Sequence, residues 1–420
     1  MTDTPPDCFS PPKPLMTEAD ALTALKSTLR PVEEHETRPL HEAAGLYLSQ
    51  PIRAPRAVPA HDNAAVDGYA VHSSIFNKPP PYRLPVVGTA WAGKPLETSV
   101  GPAEAARIFT GAVMPSGTDC VLMQEHVSAQ NNLIEFSVNG REGLNRRLAG
   151  EDTGLNEAVL ERGDRLGAAA LATVASLGIG EVSVYRPLRV AVLSTGDELA
   201  EPGMAYRPGT VYDSNRPLLR ALLSTYPVAL TDLGSAADTR SEVERLLETA
   251  ARTHDLLITS GGASTGEGDH VTSAVQSAGE LHLWRLAIKP GKPIGFGQIG
   301  ACTVVCLPGN PVAAFTGFVL FIRPMLSRLG GGPWTVPRVW RVKAGFDLKA
   351  KKPGRCDYLR GSLISDETGT HVIKFPKDGS ALLSSLRHSD GLIRLPEDCT
   401  ALSAGEMVDF IPYTELGVPV

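Results

Sequence analysis

A chain of 420 residues, 42% of them hydrophobic, is long enough for several separate cores, about three on the usual length prior. Its net charge of −6 argues against general nucleic-acid or anionic-membrane binding, so an anionic ligand must be met by a local cluster of donors. The six cysteines, Cys8, Cys120, Cys302, Cys306, Cys356 and Cys399, contain no C-x-x-C pair and read as reduced thiols of a cytosolic protein.

The first residues, through about Lys13, are Pro-rich and lack the basic start and apolar core of a signal peptide. No apolar run is expected to be long enough to span a bilayer, which again points to the cytoplasm. From Thr17, the expected N-cap, Ala21, Leu22, Leu25 and Leu29 mark an amphipathic helix that Pro31 ends. HDNAAVDGYAV, residues 61–71, has little periodicity and reads as an ordered loop. Residues 82–134 alternate short β-prone runs with turn signals and form an all-β segment, with Thr110 and Gly111 where one strand ends. Arg141, Arg146 and Arg147 precede Gly150-Glu151-Asp152; by itself this basic group reads as a solvated face. A helix over residues 167–177 stops at Gly178.

From about Leu188 the pattern changes. Residues 190–193 form a buried-type strand followed by Ser194-Thr195-Gly196-Asp197-Glu198. After Asp213-Ser214-Asn215, a helix carries Leu218, Leu219 and Leu222, and Ser241-Glu242-Val243-Glu244 reads as a capping box before the next helix. Leu256-Leu257-Ile258 is a strand that breaks into Ser260, Gly261, Gly262, Ser264, Thr265, Gly266 and Gly268. A helix bearing Val271, Ala274, Val275 and Ala278 follows. A further strand at residues 303–307 ends in Pro308-Gly309-Asn310-Pro311, with Asn310 an expected N-cap and Pro324 an expected kink in the helix beyond. Strands alternating with helices over residues 188–330 predict a three-layer α/β domain with a mainly parallel sheet. After residue 331 the pattern is β-rich again and predicts a small terminal barrel.

In a parallel sheet the loops at the C-terminal strand ends form the binding crevice, which gathers residues 195–198, 260–269 and 308–311 at one edge. Strand, glycine-rich loop and helix N-terminus together suit an anion. Asp269, a carboxylate beside that loop, suggests a metal or proton-transfer role. Lys289 and Lys292 on the stiff loop KPGKP suit a phosphate, diphosphate or oxyanion, with solvated surface lysines as the plainer alternative.

Taken together, DNAAVDGYA, RIFTGAVMPSGTDCVLMQE, GED, STGDEL, GTVYDSN, SGGASTGEGDH, LAIKPGKPIGFG, CLPGNPV and YLRG resemble the molybdopterin molybdenumtransferase family, the MoeA and gephyrin E-domain type, in the family's order. The resemblance implies a multidomain α/β plus β protein. Its parts would be a discontinuous first domain (15–56 and 149–187), an inserted β-rich domain (57–148), a three-layer α/β molybdopterin-binding domain (188–330) and a C-terminal small β-barrel (331–420). It implies insertion of molybdenum from molybdate into adenylylated molybdopterin, with Mg²⁺ or another divalent metal assisting hydrolysis of the adenylate. A homodimer with a shared active site is implied as well, with molybdopterin adenylyltransferase and apo-molybdoenzymes as further partners, and no nucleic acid or membrane.

Carried over residue by residue, the resemblance gives Asp67, Glu198, Asp269 and Asp152 as catalytic, and Asp67, Glu198, Asp238 and Asp269 as metal ligands. It gives Thr110, Arg147, Ser260, Gly261, Gly262, Ser264, Gly266, Lys289, Lys292, Gly309, Asn310 and Arg360 as substrate-binding. Three positions depart from the family pattern: Val66 for Met, Arg285 for Lys and Ala313 for Ser. Rival readings are the single-domain adenylyltransferase, which lacks the inserted β segment and terminal barrel, and a non-catalytic molybdopterin-binding scaffold, which would not need three acids near a polyanion.

Overall fold

The computed structural model describes residues 15–237, 239–262, 270–367 and 369–418. They divide into two units, residues 37–44 with 48–183 and the remainder, each with its own core.

In the first unit a six-stranded sheet runs in the order Cys120–Met123, Gly68–Val71, Ala105–Ile108, Tyr82–Ala90, Leu133–Phe136, Ser128–Gln130. Its strands alternate as their sequence predicts: Tyr82 and Leu84 are buried while Arg83 and Pro85 are exposed. Tyr82, Phe136 and Phe76 close the core with ring centroids 5.0 to 6.5 Å apart. Residues 61–71 are not only a loop, for they contain strands Asn63–Ala64 and Gly68–Val71. Their strand character is hidden because Gly68 has to be small: a Cβ there would lie 1.8 Å from the carbonyl oxygen of Leu122. Helix Ala168–Ser176 ends at Gly178, whose φ of +78° is the left-handed stop the sequence predicts.

The second unit is built on a six-stranded sheet ordered Val228–Ala236, Leu188–Thr195, Leu256–Ser260, Cys302–Leu307, Pro293–Ile299, Glu280–Arg285. Neighbours among the first four are parallel, as expected. The last two form an antiparallel edge that the sequence did not announce. Gly295 and Gly297 weaken its strand signal, yet a Cβ at Gly297 would come within 2.4 Å of the carbonyl oxygen of Glu280. Successive residues of Leu188–Thr195 face opposite ways. Val190 and Val192 pack with Leu219, Leu222 and Phe315, whereas Ala191 and Leu193 pack with Val243, Leu247, Val271 and Val275. The result is the three-layer α/β arrangement. Cys302 and Cys306 are core residues, and burial pushes the Cys302 thiol up to about 12.

Three local expectations change. Helix Arg240–Ala251 begins before the expected capping box, with Thr239 at the N-cap, and Glu242 and Glu244 bind Arg245 and Arg240 instead. The expected kink near Pro324 is a π-helical turn at Phe318–Ile322, between helices Pro311–Gly317 and Arg323–Leu329. That continuous stretch, Pro311–Leu329, is long and apolar enough to cross a membrane, with 19 residues and a mean hydropathy of 1.4. It is 89% buried within the fold, which is the environment of a core helix.

The C-terminal strands close into a barrel. Cys356–Asp366, Gly369–Lys374, Trp340–Ala344, Met407–Pro412 and Gly391–Leu395 pair in that order, and Gly391–Leu395 pairs back to Cys356–Asp366. Helix Glu18–Thr28, capped by Thr17, buries Ala21 and Leu25 in the core of this same unit, and the Tyr358 hydroxyl donates to the Glu18 carboxylate.

Candidate active site

In the first unit, Asp67 immediately precedes strand Gly68–Val71, which pairs antiparallel with Ala105–Ile108 so that Gly68 faces Ile108. The register brings Thr110, two residues past Ile108, to the Asp67 carboxylate. The Thr110 amide and hydroxyl both donate to Oδ1, at 2.8 and 2.6 Å. These bonds, with the hydroxyl contributing most, hold the Asp67 carboxyl below the usual carboxylate range. Arg107, on the same strand, donates to the Gly68 carbonyl at 3.2 Å and lies over the Phe109 ring at 4.7 Å.

Arg147 belongs to the short strand Arg146–Arg147, paired with Asn63–Ala64. Ala64 also exchanges backbone bonds with Gly111 and Ala112, so the Arg147 strand and the Thr110 turn flank one segment. Arg147 and Asp152 are both exposed, and the Asp152 amide is tied to the Val58 carbonyl at 3.0 Å.

In the second unit the described parts of the three expected loops, residues 195–198, 260–262 and 308–311, lie at one edge of the parallel sheet. Ser260 ends strand Leu256–Ser260 and is 4% exposed. Asn215, which the sequence reading did not single out, joins two of the loops: its Nδ2 donates to Ser260 Oγ and to the Gly309 carbonyl, each at 2.7 Å. Only the DSN triplet before the helix pointed to it. Asn215 Oδ1 and Ser194 Oγ are buried without a hydrogen-bond partner among the described residues, so polar capacity remains at this edge. Glu198 is exposed, with its carboxylate over Gly196.

Gly261 (φ +96°) and Gly262 (φ +78°) are required by the protein's own packing. A Cβ would meet Thr195 O at 2.7 Å in the first case and Val271 Cβ at 2.4 Å in the second. Asp238, Ser264, Gly266 and Asp269 lie outside the described residues. Among the described residues no group of three or more His, Cys, Asp or Glu side chains could hold a metal.

The same unit contains a cavity of about 630 Å³. Lys289, Lys292, Asn310 and Ala313 line it from the α/β domain, and Lys352, Arg355, Arg360 and Ser380 line it from the barrel. The lysine loop is stitched on both sides. Ala287 N donates to the Met16 carbonyl at 2.8 Å, Cys356 N donates to the Ala287 carbonyl at 2.7 Å, and Ile288–Lys289 pairs in parallel with Cys356–Asp366. Asn310 occupies the N-cap position of Pro311–Gly317, but its side chain makes no capping bond.

Arg360 is 5% exposed. Its guanidinium donates to Ser385 Oγ at 2.9 Å, the Gly379 carbonyl at 3.2 Å and the Tyr358 carbonyl at 3.4 Å, all neutral oxygens. Burial lowers its affinity for the proton from the ordinary arginine value. None of Lys289, Lys292, Lys352 and Arg360 forms an ion pair with a described carboxylate, and Asp378, the acid in the cavity wall, is taken by Lys374 at 3.0 Å. This is an electropositive cavity with a buried guanidinium that forms no ion pair with a described carboxylate, Asp378 acting on it only at longer range.

Three family models match the chain: the MoeA N-terminal region (domain I and II) at residues 16–178, the probable molybdopterin binding domain at 191–328, and the MoeA C-terminal region (domain IV) at 341–413. A molybdopterin molybdenumtransferase of Haemophilus influenzae is 39% identical over 90% of this chain and 93% of its own length. The chain belongs to the MoeA family. Molybdopterin molybdenumtransferase 2 of Mycobacterium tuberculosis is 33% identical over 90% of this chain and 98% of its own. Among solved structures, a molybdopterin biosynthesis MoeA protein from Pyrococcus horikoshii superposes with a TM-score of 0.82 at 28% identity, covering 95% of this chain and 100% of that one.

Within the MoeA framework, the three departures fall at distinct places. Val66 packs beside the small core of Ala64, Ala70 and Ile108. Arg285 is exposed at the edge strand, and its carbonyl accepts from Met16 N at 3.0 Å. Ala313, in the cavity wall and 3% exposed, is the departure that removes a hydroxyl from the anion cavity.

Proposed function

We propose that this MoeA-family chain is a molybdopterin molybdenumtransferase. It moves molybdenum from molybdate to the dithiolene of molybdopterin, taking the adenylylated pterin and releasing AMP as the last step of molybdenum cofactor biosynthesis. The curated names of its relatives support the transferase over the adenylyltransferase or a non-catalytic scaffold. Within the chain, the observation that carries the reading is Arg360. A buried cation without a carboxylate in direct contact is costly to hold, by several kcal/mol on general grounds, and a ligand that brings negative charge to it relieves that cost. With Lys289 and Lys292 in the same cavity, the missing charge is that of an oxyanion or phosphate.

The chain's own groups divide the work. Arg360, Lys289 and Lys292 bind and orient anions. Asn215 holds the Ser260 and Gly309 loops at a fixed separation, so the crevice is formed before the ligand arrives. Thr110 keeps the Asp67 carboxylate ionised and aimed. Mg²⁺ binds one or two carboxylates together with substrate phosphates, a role that the exposed oxygens of Asp67 and Glu198 suit, with Asp238 and Asp269 as further candidates. When bound, the metal would neutralise the diphosphate and polarise the phosphorus under attack. The reading also includes a cytoplasmic homodimer with a site shared between subunits, supplied by an adenylyltransferase and delivering to apo-molybdoenzymes.

Incubating the purified protein with adenylylated molybdopterin, Mg²⁺ and molybdate tests the whole reading. AMP release that requires molybdate, with reconstitution of an apo-molybdoenzyme, is the expected result. Tight pterin binding without AMP release would favour the scaffold, and new adenylate made from ATP and free molybdopterin would favour the adenylyltransferase.

A further inference from the structure

The barrel loop of residues 351–355 forms one wall of the cavity, and its construction is unusual. Lys351 is 8% exposed. Its Nζ lies 2.5 Å from the Arg355 carbonyl, 2.8 Å from the Pro396 carbonyl and 3.5 Å from the Lys352 carbonyl, with no ion pair to a described carboxylate. An ammonium has three protons to donate, so Lys351 acts as a clamp on the backbone around it. The Lys351 amide donates to the Thr400 carbonyl at 2.6 Å and the Gly354 amide to the Glu397 carbonyl at 2.9 Å, which fixes the loop to the neighbouring turn.

Of the two basic side chains this loop gives the cavity, Arg355 is already committed. It binds Asp357 through Nε at 2.8 Å and through its terminal nitrogen at 3.4 Å, and Asp357 is buried. Lys352 is exposed and has no described acid as a partner. Beside the exposed Lys289 and Lys292, the cavity therefore carries a buried cation without an ion pair, Arg360, and on the barrel side an exposed one, Lys352. At about 630 Å³ it is far larger than one tetrahedral oxyanion requires.

We propose that Lys352 binds a second anionic group of the substrate, a phosphate or diphosphate at the cavity mouth, separate from the small oxyanion held near Arg360. Lys351 is the positioning residue that holds Lys352 there through the loop backbone. This deepens the function proposed above and rests on its placing of the anions in this cavity.

Calorimetric titration of the full chain with pyrophosphate, and separately with molybdate, tests it at two salt concentrations. Lys352→Met is expected to weaken pyrophosphate binding roughly tenfold, to flatten its salt dependence, and to leave molybdate binding within about twofold of wild type. Lys351→Met should weaken pyrophosphate similarly, and the double variant should be no weaker than Lys352→Met, because Lys351 acts only through its neighbour. Additive losses in the double variant would overturn the positioning role. Unchanged pyrophosphate binding in Lys352→Met, or equal loss of both anions, would overturn the mouth site. If Arg360→Met also binds both anions as wild type does, it is the cavity reading itself that fails.

Discussion

Asp67 Oδ1 accepts two hydrogen bonds from one residue, the amide of Thr110 at 2.8 Å and its hydroxyl at 2.6 Å. The hydroxyl is the largest cause of the lowered Asp67 pKa. Thr110→Val removes it and keeps the amide bond, so the carboxyl should titrate at higher pH. A depressed folded pKa contributes stability above the unfolded value, near 3.8, which is lost as pH falls through the folded value. The stability difference between wild type and Thr110→Val should therefore be open at neutral pH and narrow in acid, as urea unfolding at several pH values would show. The acidic limb of the pH–rate profile should move upward in the same variant.

Asp67→Asn separates charge from shape. The amide oxygen still accepts from Thr110, so the turn should hold while the negative charge is gone. AMP release should fall by about 10²- to 10⁴-fold, the range for a group acting on proton or charge transfer, with circular dichroism and melting temperature near wild type. A variant that turns over normally would remove Asp67 from the chemistry.

Arg360→Met should divide function from stability in another way. The variant loses three hydrogen bonds to neutral oxygens, but it no longer buries a charge that lacks an ion pair. These effects oppose each other, so a net stability change within about 2 kcal/mol is expected. A ligand at 100 times its Kd stabilises the native state by about 2.7 kcal/mol. Wild type should show such a thermal shift with molybdate, and Arg360→Met should not. A molybdate-induced shift that survives the substitution would place the oxyanion elsewhere.

The two layers of helices and the parallel strands were legible because each element states its own period. Leu188–Thr195 carries a near-continuous apolar run, and Arg240–Ala251 places Val243, Leu247 and Ala250 on one face. What stayed hidden depends on neighbours distant in sequence. Gly68 sits in a stretch that reads as a loop and Gly297 weakens a strand's signal, and only the carbonyls of Leu122 and Glu280 behind them show why strands need them there. The site divides the same way. Asp67, Thr110, Lys289, Lys292 and Arg360 stand out within motifs, whereas Lys352 sits in a run, KKPGR, that resembles any solvated basic loop. Asn215 joins Ser260 to Gly309 across separations of 45 and 94 residues, a link that exists only after the sheet has assembled.

That link predicts the effect of Asn215→Asp. The carboxylate is nearly the same shape, but it has no proton to give to the Gly309 carbonyl or to Ser260 Oγ. Ser260 can rotate its own hydroxyl and donate back, so that bond is recoverable. Gly309 cannot respond, and its carbonyl would face a negative charge in a site where Asn215 is 6% exposed. Losing a buried partner in this way costs about 1–3 kcal/mol, and more where a charge is stranded. Asn215→Asp should therefore be less stable in urea than Asn215→Ala, although alanine removes both bonds. Both variants should raise KM for the pterin substrate, because the Ser260 and Gly309 loops are no longer held together. Equal stability of the two variants would mean that solvent reaches this joint and that the Gly309 bond does not hold the crevice.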